Sequence, residues 1–121
     1  MQSSDQHLRY VILHHTGFGE PHYDLMFESA PGSTLMTWRA KDWPLAEGDE
    51  ITPISDHRRE YLAYEGPLTN NRGQVRRIAT GTCEISSTPS QFTLNLLSPD
   101  PQLILLAHLH ENHWRVVEVG P

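Results

Sequence analysis

Short apolar runs, some alternating and some continuous, are broken at close intervals along the chain by Gly, Pro, Asn and Asp, and this pattern predicts strands. Arg9–His15 is dense in β-formers (Tyr10, Val11, Ile12, Leu13), and Thr16–Pro21 follows as a loop. His22–Ser29 alternates, with His22, Asp24, Met26 and Glu28 on one face and Tyr23, Leu25 and Phe27 on the other. After a turn at Pro31-Gly32, Thr34–Ala40 reads as a strand, and Trp43-Pro44 opens a loop or short helical turn that ends near Gly48. Asp56–Tyr64 reads as extended, and Asn70-Asn71-Arg72-Gly73 is a turn. Gln74–Ile85 and Gln91–Leu97 are strands, and Leu103–His110 and Trp114–Val119 flank a tight hairpin at Glu111-Asn112-His113.

No window of a dozen residues sustains a helical apolar period. The expected fold class is therefore mostly β, a small antiparallel β-barrel with short helical turns, a sandwich being the other closed arrangement such a pattern allows. Residues 1–8 read as a flexible tail and 9–121 as a single domain, which 121 residues comfortably fill. There is no apolar run of spanning length and no signal-peptide pattern, so a cytoplasmic protein without a membrane partner is expected. Cys83, the single cysteine, excludes an internal disulfide and reads as a small buried apolar residue.

A formal net charge of −6 argues against a general nucleic-acid binder, whose affinity rests on phosphate neutralisation. A local basic patch remains, because Arg58, Arg59, Arg72, Arg76 and Arg77 lie close together; solvated strand and turn residues are the plainer description. Eight histidines are many for this length, and histidine is the commonest metal ligand.

His22 and Asp24, two apart on a strand, present an imidazole and a carboxylate side by side, about 7 Å apart along the backbone. The loop over residues 16–21 can return His15 beside them, and His14 competes for the same role from the opposite face. Two histidines and a carboxylate suit Mn²⁺, Fe²⁺ or Zn²⁺ and leave positions open for water and a substrate oxygen. The same alternation also describes an ordinary half-buried strand edge. His57 and Tyr61, four apart, share a face in a helix or a strand and can address a phosphate together; a loop histidine beside a core tyrosine is the alternative. His108 and His110 share a face with no third ligand placed by sequence.

Tyr10-Val-Ile-Leu-His-His15, His22-Tyr-Asp-Leu-Met-Phe-Glu28, Leu35-Met-Thr-Trp38, Asp56-His-Arg-Arg-Glu-Tyr-Leu-Ala-Tyr-Glu-Gly66, Gly73-Gln-Val75 and Gly81-Thr-Cys-Glu84 occur in this order. Together they resemble the 3'-phosphoesterase (N-terminal) domain family of bacterial DNA ligase D, here as a stand-alone member. The resemblance implies a β-barrel that binds Mn²⁺, with Zn²⁺ as another candidate ion, and trims 3'-phosphate or 3'-ribonucleotide ends of DNA in repair. It implies metal ligands His15, His22 and Asp24, and phosphate contacts from His57 and Tyr61. It implies primer–template 3' ends as substrate and ligase or polymerase proteins as partners. Arg58, Arg59, Arg76, Arg77 and Lys41 are the candidate contacts to the DNA backbone, and Lys41 or Arg39 can stand for a family lysine near Trp38.

Three departures bear on activity. The loop between His15 and His22 is one residue longer than the family pattern, Met26 stands where the family has a phosphate-contacting arginine, and Ser55 replaces an acidic residue. A catalytically weak or inactive metal-binding docking module of a repair complex is therefore the alternative function.

Overall fold

The run Tyr10-Val-Ile-Leu13 is buried on both sides of its strand, and this double burial organises the molecule. The computed structural model describes residues 7–121. The strands are β1 (Leu8–Thr16), β2 (His22–Glu28), β3 (Leu35–Ala40), β4 (Glu50–His57), β5 (Gly66–Pro67), β6 (Gln74–Ser87), β7 (Gln91–Ser98), β8 (Gln102–His110) and β9 (His113–Gly120). They are ordered β1-β2-β3-β4-β9-β8-β7-β6-β5, and β1 also pairs with β6, so eight antiparallel strands close into a barrel while β5 extends one end of β6. The only helical pieces among the described residues are single 3₁₀ turns at Arg59–Leu62 and Thr69–Asn71. No helix among them is long and apolar enough to cross a membrane.

Inward positions from all eight barrel strands, among them Tyr10, Ile12, Leu25, Phe27, Trp38, Ile51, Cys83, Phe92, Leu94, Ile104 and Val116, fill the interior. A second, smaller core lies on the outer face of β1–β3. There Val11, Leu13, Met26 and Leu35 are covered by Leu62 and Val75, with Tyr61 and Leu68 packed against them. The covering residues come mostly from the excursion between β4 and β6. This explains why Met26 and Glu28, on the polar-looking face of the β2 alternation, are 1% and 3% exposed.

The strands expected from the sequence form, with shifts at their ends. The tail expected over residues 1–8 lies outside the described residues for its first six positions, and Leu8 already belongs to β1. The expected extended segment Asp56–Tyr64 is corrected: β4 ends at His57 and the chain then turns through Arg59–Leu62. The strand itself begins earlier, at Glu50, and was hidden by Pro53. β4 pairs with β9 only at Glu50 and Ile51, so Pro53, opposite Trp38 of β3, needs no second ladder partner. The segment after Trp43 is a loop without a helical turn.

Candidate metal centre

Antiparallel register brings the first constellation together. His15 is the direct cross-strand partner of His22, and Asp24 lies two residues further along β2 on the same outward face. His14 points the other way and stacks on Tyr23, with ring centroids 4.4 Å apart, so His15 is the histidine that joins the cluster. One donor atom each from His15, His22 and Asp24 lies within 4.8 Å of the others.

The hydrogen bonds around the two imidazoles fix their tautomers. His15 Nε2 lies 2.7 Å from the Arg72 carbonyl oxygen, and His22 Nδ1 lies 3.0 Å from the Glu20 carbonyl oxygen. A carbonyl oxygen only accepts, so each of these nitrogens carries the hydrogen. With both rings neutral, the remaining nitrogens, His15 Nδ1 and His22 Nε2, face each other with lone pairs across 3.2 Å; with a proton on one of them they form a hydrogen bond. Two lone pairs at that distance repel unless a proton or a metal cation sits between them. Asp24 Oδ1, 3.5 Å from His22 Nε2, supplies negative charge at the same point. Backbone carbonyls that hold the outer ring nitrogens are the usual second support of metal-ligating histidines.

The spacing suits a divalent ion. Metal–ligand bonds of about 2.1 Å in tetrahedral geometry give donor–donor edges of ~3.4 Å, and the two close edges here are 3.2 and 3.5 Å. Asp24 is 3% exposed, so its charge requires a compensating cation. Arg39 of β3, its register partner, partly supplies one through Nε–H donation to Oδ1 at 3.4 Å.

Close backbone approach places the Arg72 carbonyl. Gly73, at φ +83°, lies so near the end of β1 that a Cβ there would stand 2.1 Å from the Thr16 carbonyl oxygen, and a Cβ on Gly17 would meet Gly73 Cα at 3.2 Å. Asn70 and Asn71 also adopt positive φ, which turns the chain back toward β1.

The three donors open into a cleft of about 630 Å³ between the outer face of β1–β4 and the β4–β6 excursion. His57 and Tyr61 line it with their rings packed edge to face, centroids 5.7 Å apart. His57 Nδ1–H donates to the Ser55 carbonyl oxygen at 3.0 Å, leaving Nε2 as its free nitrogen. Met26 lies in the lining as well, and the cationic side chains there are Arg39, Lys41 and Arg72.

The other proposed DNA contacts lie elsewhere. Arg59 donates to the buried Glu28 carboxylate at 2.6 Å and to the Ser33 carbonyl at 2.8 Å, so its charge ties the excursion to β2. Arg58 is exposed beside Glu60, Arg77 lies 4.0 Å from Glu65, Arg76 is exposed on β6, and none of the three lines the cleft. Phe18, 54% exposed at the cleft rim, is a lining residue that the sequence reading passed over; its signal was an aromatic between two glycines in a loop. Glu28 is itself perturbed. Burial pushes its carboxyl up, but hydrogen bonds from Arg59 and the backbone N–H groups of Arg9 and Gly32, with the Arg59 charge, outweigh this and hold it below the ordinary carboxylate range.

The chain matches no known family model and no curated protein.

Proposed function

We propose that the chain is a divalent-metal-dependent 3'-phosphoesterase of the kind its motifs resemble, with Mn²⁺ as the expected ion and a DNA 3' end as substrate. The observation that carries this is the pair of imidazoles whose outer nitrogens are held by two backbone carbonyls and whose inner nitrogens lie 3.2 Å apart, beside a buried carboxylate, at the end of a cleft that also holds His57 and Tyr61. A divalent ion bound by His15, His22 and Asp24 supplies Lewis acidity toward a phosphoryl oxygen. Lys41, Arg72 and Arg39 attract and orient the phosphate by charge. His57 holds or delivers a proton at Nε2, and the Tyr61 hydroxyl beside it fixes the orientation of a phosphate oxygen. Phe18 offers a face on which the terminal base stacks.

The test is a primer–template ending in a 3'-phosphate, incubated with the purified chain and Mn²⁺. Phosphate release by the native chain is expected, with loss on His22→Ala and a drop of about a hundredfold or more on His57→Ala. One observation favours a second reading. Met26 is 1% exposed at the position where the resembled family carries an arginine, so that phosphate clamp is missing. Tight Mn²⁺ binding without phosphate release, at enzyme in excess over substrate, would identify a docking module in a ligation or polymerase complex instead.

A further inference from the structure

The tip of the β8–β9 hairpin carries a second set of converging donors. The sequence pairs His108 with His110 on one strand face and finds no third ligand, but the register differs. His108 lies opposite Trp114 and His110 opposite His113, so two steps on β8 match one on β9 and Leu109 is the extra residue of a bulge. The bulge separates the two β8 histidines. His108 packs on the Trp114 ring, with centroids 5.0 Å apart, while His110 and His113 face each other edge to face at 5.0 Å.

Glu111, first of the two turn residues, sits at φ +49°. His108 Nε2–H donates to its carbonyl oxygen at 2.8 Å and so clamps the turn from outside the cluster. One donor atom each from His110, Glu111 and His113 lies within 4.8 Å of the others. Cross-strand imidazoles on a tight hairpin are a preorganised chelate, because the ladder has already fixed the two backbones at bonding reach.

From this geometry we infer a second metal site, formed by His110, Glu111 and His113, selective for borderline divalent transition ions and strongest for Cu²⁺. Two imidazole nitrogens and one carboxylate oxygen at the hairpin surface leave positions for water and impose no closed tetrahedron. The order of divalent affinities for such N/O sets places Cu²⁺ above Zn²⁺ and far above Mn²⁺. With bonds of about 2.0 Å, trans donors of a square plane lie ~4 Å apart, so exposed side chains close the widest pair by less than ~1 Å. The site is independent of the function proposed for the cleft.

The test uses the full chain carrying His22→Ala, which takes one of the three ligands from the first donor set, and Cu²⁺ alone as probe. Substoichiometric Cu²⁺ is expected to broaden the imidazole NMR signals of His110 and His113 before those of His14, His57 and His108. Adding His110→Ala is expected to weaken Cu²⁺ binding at least tenfold by calorimetry with an unchanged circular dichroism spectrum. Equal broadening across all histidines, or Cu²⁺ affinity within twofold after His110→Ala, would overturn the site.

Discussion

Gly73→Ala tests how the backbone builds the candidate metal centre. A methyl carbon added at Gly73 would stand 2.1 Å from the Thr16 carbonyl oxygen and 2.9 Å from the carbonyl carbon of Gly17. Relief of that overlap requires a displacement of about 1 Å, since a carbon–oxygen contact needs roughly 3.2 Å. The segment that moves carries the Arg72 carbonyl, now 2.7 Å from His15 Nε2. At about 3.7 Å that interaction is no longer a hydrogen bond. Left-handed backbone strain adds ~1 kcal/mol and the lost bond another ~1 kcal/mol, so a loss of about 2–3 kcal/mol is expected. For a domain of this size that is a fall in Tm of roughly 8–15 °C. His15 also loses the group that holds its tautomer, and Mn²⁺ affinity should fall about 10–100-fold. Chemical denaturation and calorimetric Mn²⁺ titration read the two effects. Gly73→Asn separates their causes, because Asn tolerates positive φ yet carries the same Cβ. It should be nearly as damaging as Ala. Both variants within 0.5 kcal/mol of the native chain, with native metal affinity, would refute the close-approach account.

Four further outcomes follow. Arg59→Met leaves the buried Glu28 carboxylate without its cation and should cost on the order of 2 kcal/mol, less than the ~3–5 kcal/mol of a fully buried pair because Arg59 is partly exposed. Because the folded Glu28 is held below the ordinary carboxylate range, its contribution is complete above that range and is lost as pH falls through the folded value, so Glu28→Gln should flatten the acid limb of a stability–pH profile. Burial, with Glu28 and Glu84 adding, pushes the Cys83 thiol up to about 12, so alkylation at neutral pH should proceed only through unfolding and accelerate with denaturant. Lys41→Ala should raise KM for a 3'-phosphate substrate about tenfold or more while leaving Mn²⁺ affinity within threefold, which a steady-state assay beside a metal titration would show.

The barrel was legible where neighbouring side chains alternate or run apolar without interruption. β2 announced its two faces, and the Tyr10–Leu13 run announced a strand, though not its burial on both sides. What decided the site was register, which alternation does not carry: His15 opposite His22, and Leu109 as a bulge that gives His110 to His113. The outer core was equally hidden. Nothing in His22–Glu28 alone says that a later excursion will cover Met26 and draw Arg59 down onto Glu28, turning an expected DNA contact into an internal tie. Backbone carbonyls from Glu20 and Arg72 orient the imidazoles of His22 and His15, and carbonyls leave no trace in residue identity.

In the proposed function, His15 Nδ1, His22 Nε2 and Asp24 Oδ1 share one divalent ion. Anomalous diffraction at the manganese edge, from crystals grown with Mn²⁺, addresses it directly. A single strong peak at bonding distance from all three atoms, with both carbonyl hydrogen bonds retained, is the predicted result. Native crystals with the two imidazoles turned apart and no peak between them would contradict it.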